Sequence, residues 1–380
     1  MTTYFRMYRY FLAIAFLMTA QFVVVAQSGF QDEPRLEALL AQGVDYVYNA
    51  DIKNFNRVAE QVNRMKPNHP VYPMLKAMSI RAAYYPIEVE SREFEQMRTY
   101  LEEVVQRAEA MLDEDENEPV ANYFALASLG LLALYENEAG NTFRAVGYAK
   151  EAYSYLRVGF DLKDEYDEFY FSTGLYNYYR VKYPELYPIY KPFTWFFRDG
   201  SLEKGLKQLD IAYRRSIFMG PESASYLTHI YLHYENLPLK ALPYARKMVT
   251  KYPNNPAFAV GFLETSVAAG LYADLDTYVA QLKQNPKKYF QMVGYLYEAM
   301  LLEKKNGSLQ RAELAYQKSL EIGSGLKSEE AKHFRSYAYA GLARLADQQR
   351  QYSKARDYYQ SALSQAQYPA TKAEAKAYLD

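Results

Sequence analysis

Cysteine is absent from the 380 residues, which rules out a disulfide, a thiolate nucleophile and any cysteine metal ligand. The lipid-acceptor cysteine that follows the signal of a bacterial outer-membrane lipoprotein is missing for the same reason. Charge of one sign is scarce as well. The 44 basic and 45 acidic residues nearly cancel, so no global field draws nucleic acid or an anionic membrane, and neither is expected to be held by charge. Beyond the first 26 residues no apolar run is long enough to span a bilayer. A phosphate-cradling glycine loop, a dinucleotide fingerprint and a G-x-S-x-G nucleophile elbow are all missing. No cofactor is implied and the expected activity is non-catalytic. Tryptophan occurs once and histidine four times, so imidazole chemistry has few places to be.

Tyrosine, by contrast, is abundant: 41 residues, spread along the whole chain, within a sequence that is half hydrophobic. The first 26 residues stand apart from the rest. Arg6 and Arg9 precede the apolar run FLAIAFLMTAQFVVVA, and Val24, Val25 and Ala26 before Gln27 offer a small-residue cleavage site. That layout is expected of a secretory signal peptide, with an uncleaved anchor second because Thr19 and Gln21 interrupt the apolar run. The expected location is periplasmic or extracellular, with residues 27–380 forming the mature fold.

Periodicity decides the fold. In SYAYAGLARLADQQRQYSKARDYYQSAL, Tyr339, Leu342, Ala343 and Ala346 form one helical stripe, and Tyr352, Ala355, Tyr359 and Ala362 form a second. Asp347 to Gln351 make the polar turn between them, and the alanines mark where two helices approach closely. The same arrangement recurs upstream around Leu296, Ala299, Gly307, Ala312 and Tyr316, around Gly270, Leu275 and Val279, and around Ala241 and Ala245. Equivalent turn positions Leu239, Tyr272, Leu309 and Tyr352 lie 33, 37 and 43 residues apart. Leu129, Leu132, Gly140, Ala145 and Ala152 repeat the pattern, and earlier pairs are expected over 35–66 and 70–112, the second interrupted at Pro86. Asp113 to Glu118 read as a solvated connector.

This pattern resembles the tetratricopeptide repeat, whose period is about 34 residues. The resemblance implies an all-α, right-handed solenoid of about eight helix pairs, in which the first helix of each pair lines a concave groove. The positions it assigns to that groove are Glu168, Phe171 and Tyr178; Tyr226 and His233; Glu264; Tyr297 and Lys304; Tyr337, Arg344 and Asp347. Aromatic rings there supply contact area, and the charged residues can pin a peptide, so a protein or peptide partner is implied.

Residues 166–197 carry fourteen aromatics punctuated by Pro184, Pro188 and Pro192. Phe169 to Arg180 fit a first helix and Leu202, Gly205, Leu209 and Ala212 its partner, capped by Ser201. Residues 181–200 are then an insertion. The segment GLYNYY, WFFRDG and GLKQL is similar to bacterial tetratricopeptide proteins related to those of the mitochondrial outer membrane, and this implies no reaction. Three readings of the insertion stand side by side. It is packing around Trp195, Phe196 and Phe197; or a glycan or small-molecule pocket of Tyr183, Tyr187, Tyr190, Trp195 and Arg198; or a peripheral membrane contact flanked by Lys182, Lys191 and Arg198.

His229 and His233, at i and i+4, have the spacing of two metal ligands. Ile230 stands where a zincin has glutamate, and spacing suggests no third ligand, so the expectation is a structural role and no metal. His69 and His333 are isolated at helix starts.

Overall fold

The computed structural model describes Phe30 and residues 33–380, except residues 90, 187, 189, 190, 192–194 and 196. The leader over 1–26, Tyr187, Tyr190 and Phe196 lie outside the described residues. Among those described there are seventeen α-helices and no strand. They form eight antiparallel pairs in chain order. The first four are α1 (Pro34–Tyr48) with α2 (Ile52–Met65), α3 (Val71–Tyr84) with α4 (Arg92–Leu112), α5 (Pro119–Glu138) with α6 (Thr142–Leu162), and α7 (Phe169–Leu186) with α8 (Leu202–Arg215). Then follow α9 (Gly220–His229) with α10 (Pro238–Lys251), α11 (Pro256–Ala268) with α12 (Asp276–Lys283), α13 (Lys288–Leu301) with α14 (Leu309–Gly323), and α15 (Glu329–Gln348) with α16 (Tyr352–Gln365). A last helix, α17 (Pro369–Leu379), covers the end. Among the described residues no helix is long and apolar enough to cross a membrane.

One turn recurs because one backbone solution closes a helix pair. The amides of Asp51, Asn141, Leu271 and Gln351 donate to the carbonyls of Tyr46, Glu136, Ser266 and Ala346, five residues back. The residue before each amide, Ala50, Gly140, Gly270 or Arg350, has φ between 58° and 79°. This is the left-handed C-cap that satisfies the last helical carbonyls, and it explains the glycines at two of the four turns. The pairs α9/α10 and α13/α14 each carry one extra residue, taken up as a π-turn over Ile230–Tyr234 and Leu302–Asn306. Their closing bonds, Leu237 to Tyr231 and Ser308 to Leu302, are correspondingly one residue wider.

The seventh helix is longer than the sequence suggests. It continues past Arg180 to Leu186, so the irregular connection is shorter than 181–200, while α8 starts at Leu202 with the Ser201 hydroxyl accepting from the Lys204 amide. Pro184 removes only one hydrogen bond near the helix end. The added turn is held by the Tyr179–Tyr183 ring pair, 5.1 Å apart, and by Lys182 on Glu235 at 3.0 Å. Gly205 lets α7 and α8 touch: a Cβ there would lie 2.6 Å from the Tyr178 backbone nitrogen.

The solenoid does not remain an open trough. Tyr252 donates to Asp45 at 2.8 Å and the Asn255 amide to the Tyr48 carbonyl at 2.8 Å, joining α1 to the end of α10 across more than 200 residues. Lys287 donates to the carbonyls of Ala83 and Tyr85, both at 2.8 Å, and ties the end of α3 to the start of α13. Phe218 packs with Phe30, Tyr123 and Phe124 at 5.7–6.4 Å between ring centres. Glu168 organises that junction, accepting from the Ser216 hydroxyl and from the amides of Ile217, Phe218 and Met219 at 2.6, 3.0 and 3.2 Å. It is therefore a buried structural carboxylate and not a groove position.

Candidate functional site

Because the first two pairs cross the inner face, the space left is a partly open chamber of about 1620 Å³. Its wall is assembled from α3 and the loop after it, the end of α5, α9 with its π-turn, α11, and the starts of α13 and α15. The end of α1 and the start of α2 line it too, so seven helix pairs contribute and no single repeat could form it.

Of the expected groove residues, Tyr226, His233 and Glu264 line this chamber. Phe171 is half-buried against Tyr226, 5.4 Å between ring centres. Tyr178 and Tyr297 are packed in the core at 0 % and 1 % exposure, so neither presents a surface to a partner. Their helices tilt these positions toward the neighbouring pair, and Tyr178 spends its hydroxyl on Glu235. Near the C-terminus the charged groove positions are tied to the fold itself. Arg344 forks onto Glu303 at 2.9 and 3.0 Å and reaches Glu374 at 2.8 Å. Lys304 pairs with Glu303 at 3.0 Å, and Asp347 accepts from Tyr378 at 2.9 Å. Burial opposes ionisation of Glu303, but Arg344 and Tyr316 outweigh it and pull its carboxyl down to about 2.

The insertion residues stand elsewhere. Trp195 is 75 % exposed, and none of the described residues in 188–200 lines the chamber. Arg198 lies over the Phe160 ring at 4.4 Å, its carbonyl accepts from Tyr176 at 2.5 Å, and Phe197 meets Tyr153 edge-on at 5.2 Å. Tyr183 is half exposed and belongs to the end of α7. Phe197 and Arg198 thus pack on α6 and α7, while Trp195 stands largely exposed.

Inside the chamber wall, Arg81 and Tyr48 converge on Glu222 at 2.6 and 3.1 Å. Burial would raise Glu222, yet the guanidinium prevails and holds the carboxyl below its usual range. Glu138, also on the chamber wall, is pushed up to about 7 by burial and then by the neighbouring carboxylates Glu330 and Glu329. No cation offsets that group fully. The four histidines divide: His69 packs on Phe30 and Phe124, whereas His229, His233 and His333 gather in one corner. There His333 Nε2 sits 2.9 Å and His233 Nε2 3.5 Å from Glu264 Oε1, which also accepts from Tyr337 at 3.2 Å. Burial opposes the Glu264 charge and the two imidazoles overcome it, keeping the carboxyl well below its ordinary value. His229 is lowered to about 3 by burial and by His233 beside it. Sequence reasoning flagged His233 and Glu264 separately but missed their meeting with His333, since 69 residues separate the last two. The single available signal was the i, i+4 pair on the helix that breaks into the π-turn, a feature frequent at functional sites.

No protein-family model matches this chain, and no curated protein matches it. Among solved structures it is similar to the yeast Tom70 crystal structure, with 11% identity, 88% of this chain and 86% of that chain covered, and a TM-score of 0.38. It is also similar to a monomeric mutant of IFIT1 with Gppp-AAAA, with 14% identity, 91% and 69% covered, and a TM-score of 0.32. The recurring hairpin, its left-handed turn and eight repetitions of it, rather than these likenesses, make the chain an all-α solenoid of tetratricopeptide-like helix pairs.

Proposed function

We propose that the chain is a non-catalytic binding module that receives a basic peptide segment of a partner protein in this partly open chamber. Size supports a segment rather than a small molecule, because about 1620 Å³ exceeds the ~300–1,000 Å³ of ordinary ligand pockets. Charge supports a basic one. The carboxylates Glu138, Glu329 and Glu330 face the same space, and Glu138 is displaced upward first by burial and then by Glu330 and Glu329, a cost of ionisation that a lysine or arginine side chain would offset. That carboxylate cluster, in which Glu329 is paired with Lys332 and Glu138 is only partly offset by Arg81, is the observation that carries the reading. Tyr226, on the same chamber wall surface, supplies an aromatic face for the peptide's stem.

The test uses a fluorescently labelled Lys/Arg-rich peptide and a Glu-rich counterpart, titrated into the full chain at low and high salt. Saturable binding of the basic peptide, weakened by salt and by a Glu138→Gln/Glu329→Gln/Glu330→Gln variant that keeps its helicity, is the expected outcome. Equal binding of both peptides, or binding unchanged in that variant, would sink the reading. The setting we propose is the bacterial envelope, supported by the leader-like first 26 residues. N-terminal sequencing of the chain recovered from a fractionated expression host checks it, and an intact Met1 in the cytoplasmic fraction would refute it.

A further inference from the structure

We infer that His233, Glu264 and His333 form a binding site for one divalent transition-metal ion of the zinc class. Their ligand atoms all lie within 4.8 Å of one another, and both Nε2 atoms face the same carboxylate oxygen, at 2.9 and 3.5 Å. An ion bound at about 2.0–2.2 Å to nitrogen and oxygen holds its ligand atoms roughly 3.3 Å apart in a tetrahedron. Two of the three edges can therefore meet that spacing with small side-chain rotations, and the longest gap closes by turning one ring.

The alternative is a self-contained hydrogen-bond network, and its arithmetic is poor. Three potential donors, His233, His333 and Tyr337, converge on one oxygen of Glu264. A carboxylate oxygen offers two in-plane lone pairs. Serving it would also require both imidazoles to carry their protons on Nε2. An ion instead takes the lone pair of each Nε2 and one from the carboxylate, and leaves Tyr337 as the only donor to Glu264.

The surroundings fit a bound ion. His233 and His333 are 8 % and 6 % exposed, and the Tyr368 ring lies flat on His233 at 4.0 Å, walling the corner from water. Two imidazoles and one carboxylate select zinc, cobalt, manganese or iron over calcium or magnesium. Three protein ligands leave a coordination position open toward the chamber, which places the ion where a chamber ligand could reach it. The inference does not rest on the peptide reading, and its readout is metal alone.

The experiment is calorimetric titration of ZnCl₂ into the tag-free, EDTA-treated full chain, paired with the visible spectrum after Co²⁺ loading. One zinc per chain and intense cobalt d–d bands of a low-coordinate site are expected. His333→Ala and Glu264→Gln should weaken zinc binding by at least about tenfold, while His69→Ala, a histidine elsewhere in the fold, should leave it unchanged. Should the ligand variants fail to fold, the wild-type stoichiometry and cobalt spectrum decide the matter alone. Zinc uptake below about half an equivalent, a spectrum of hexaaqua-like cobalt, or full affinity in a folded His333→Ala variant overturns the inference.

Discussion

Arg81 and Glu222 meet at 2.6 Å although 141 residues separate them, and Tyr48 reaches the same carboxylate at 3.1 Å. This contact fastens the second helix pair to the fifth and makes the solenoid a closed body. Removing the guanidinium leaves a largely buried carboxylate with one neutral donor, and losing a hydrogen bond to a charged group in that way costs about 2–3 kcal/mol. Arg81→Ala should lower the urea midpoint accordingly and expose the chamber to limited proteolysis near residues 85–89. A variant with unchanged midpoint and cleavage pattern would show that the closure does not depend on this pair.

A second ion pair predicts acid sensitivity. Glu303 is buried, and Arg344 and Tyr316 hold its carboxyl down to about 2, below an unfolded value near 4.5. The folded value is depressed, so the pair's stabilisation is present above pH ~4.5 and is lost as pH falls toward about 2. The shift corresponds to roughly 3 kcal/mol. Urea unfolding measured from pH 7 down to 2.5 should show this loss, and Glu303→Gln should flatten the profile while lowering stability at neutral pH. A profile equally steep in the variant would assign the acid sensitivity elsewhere.

Gly205 sets two effects against each other. Alanine favours a helix interior over glycine by about 0.5–1 kcal/mol. The added Cβ, however, would lie 2.6 Å from the Tyr178 nitrogen and 2.8 Å from the Gly174 carbonyl oxygen, so backbone must shift. Overpacking of that kind costs about 1–3 kcal/mol, and it wins. Gly205→Ala should lower Tm by several degrees, whereas a raised Tm would mean that α7 and α8 separate without strain.

What could be read from the sequence follows from range. Ser201, Leu309 and Tyr352 stand at the helix boundaries their local spacing predicted, because caps and stripes act over three or four residues. The turn glycines Gly140, Gly270 and Gly307 were legible for the same reason, although Ala50, Asn236 and Arg350 adopt the same left-handed backbone with no glycine to mark it. The chamber was not legible. It exists because the superhelix curls until Tyr252 meets Asp45, and that curvature is the sum of small rotations at every junction. For the same reason Tyr178 and Tyr297 looked like open groove positions and are core. Pro184 misled in the opposite direction: it marked a break, and the helix tolerates it because Tyr179, Lys182 and Tyr183 support the turn around it.

Glu138 couples the proposed binding to pH. Its carboxyl is pushed up to about 7 in the folded chain, by burial first and then by Glu330 and Glu329. A raised folded value means that the free protein loses stability as pH climbs from the unfolded value through about 7, since ionising Glu138 adds a third charge to the cluster. A basic peptide reverses the sign. It favours the ionised form, so its affinity should rise several-fold between pH ~6 and ~8 while the unliganded chain becomes slightly less stable. Glu138→Gln should remove both slopes together. Peptide affinity that is flat over this range in the wild-type chain, or equally pH-dependent in the variant, would place the titrating group outside the chamber.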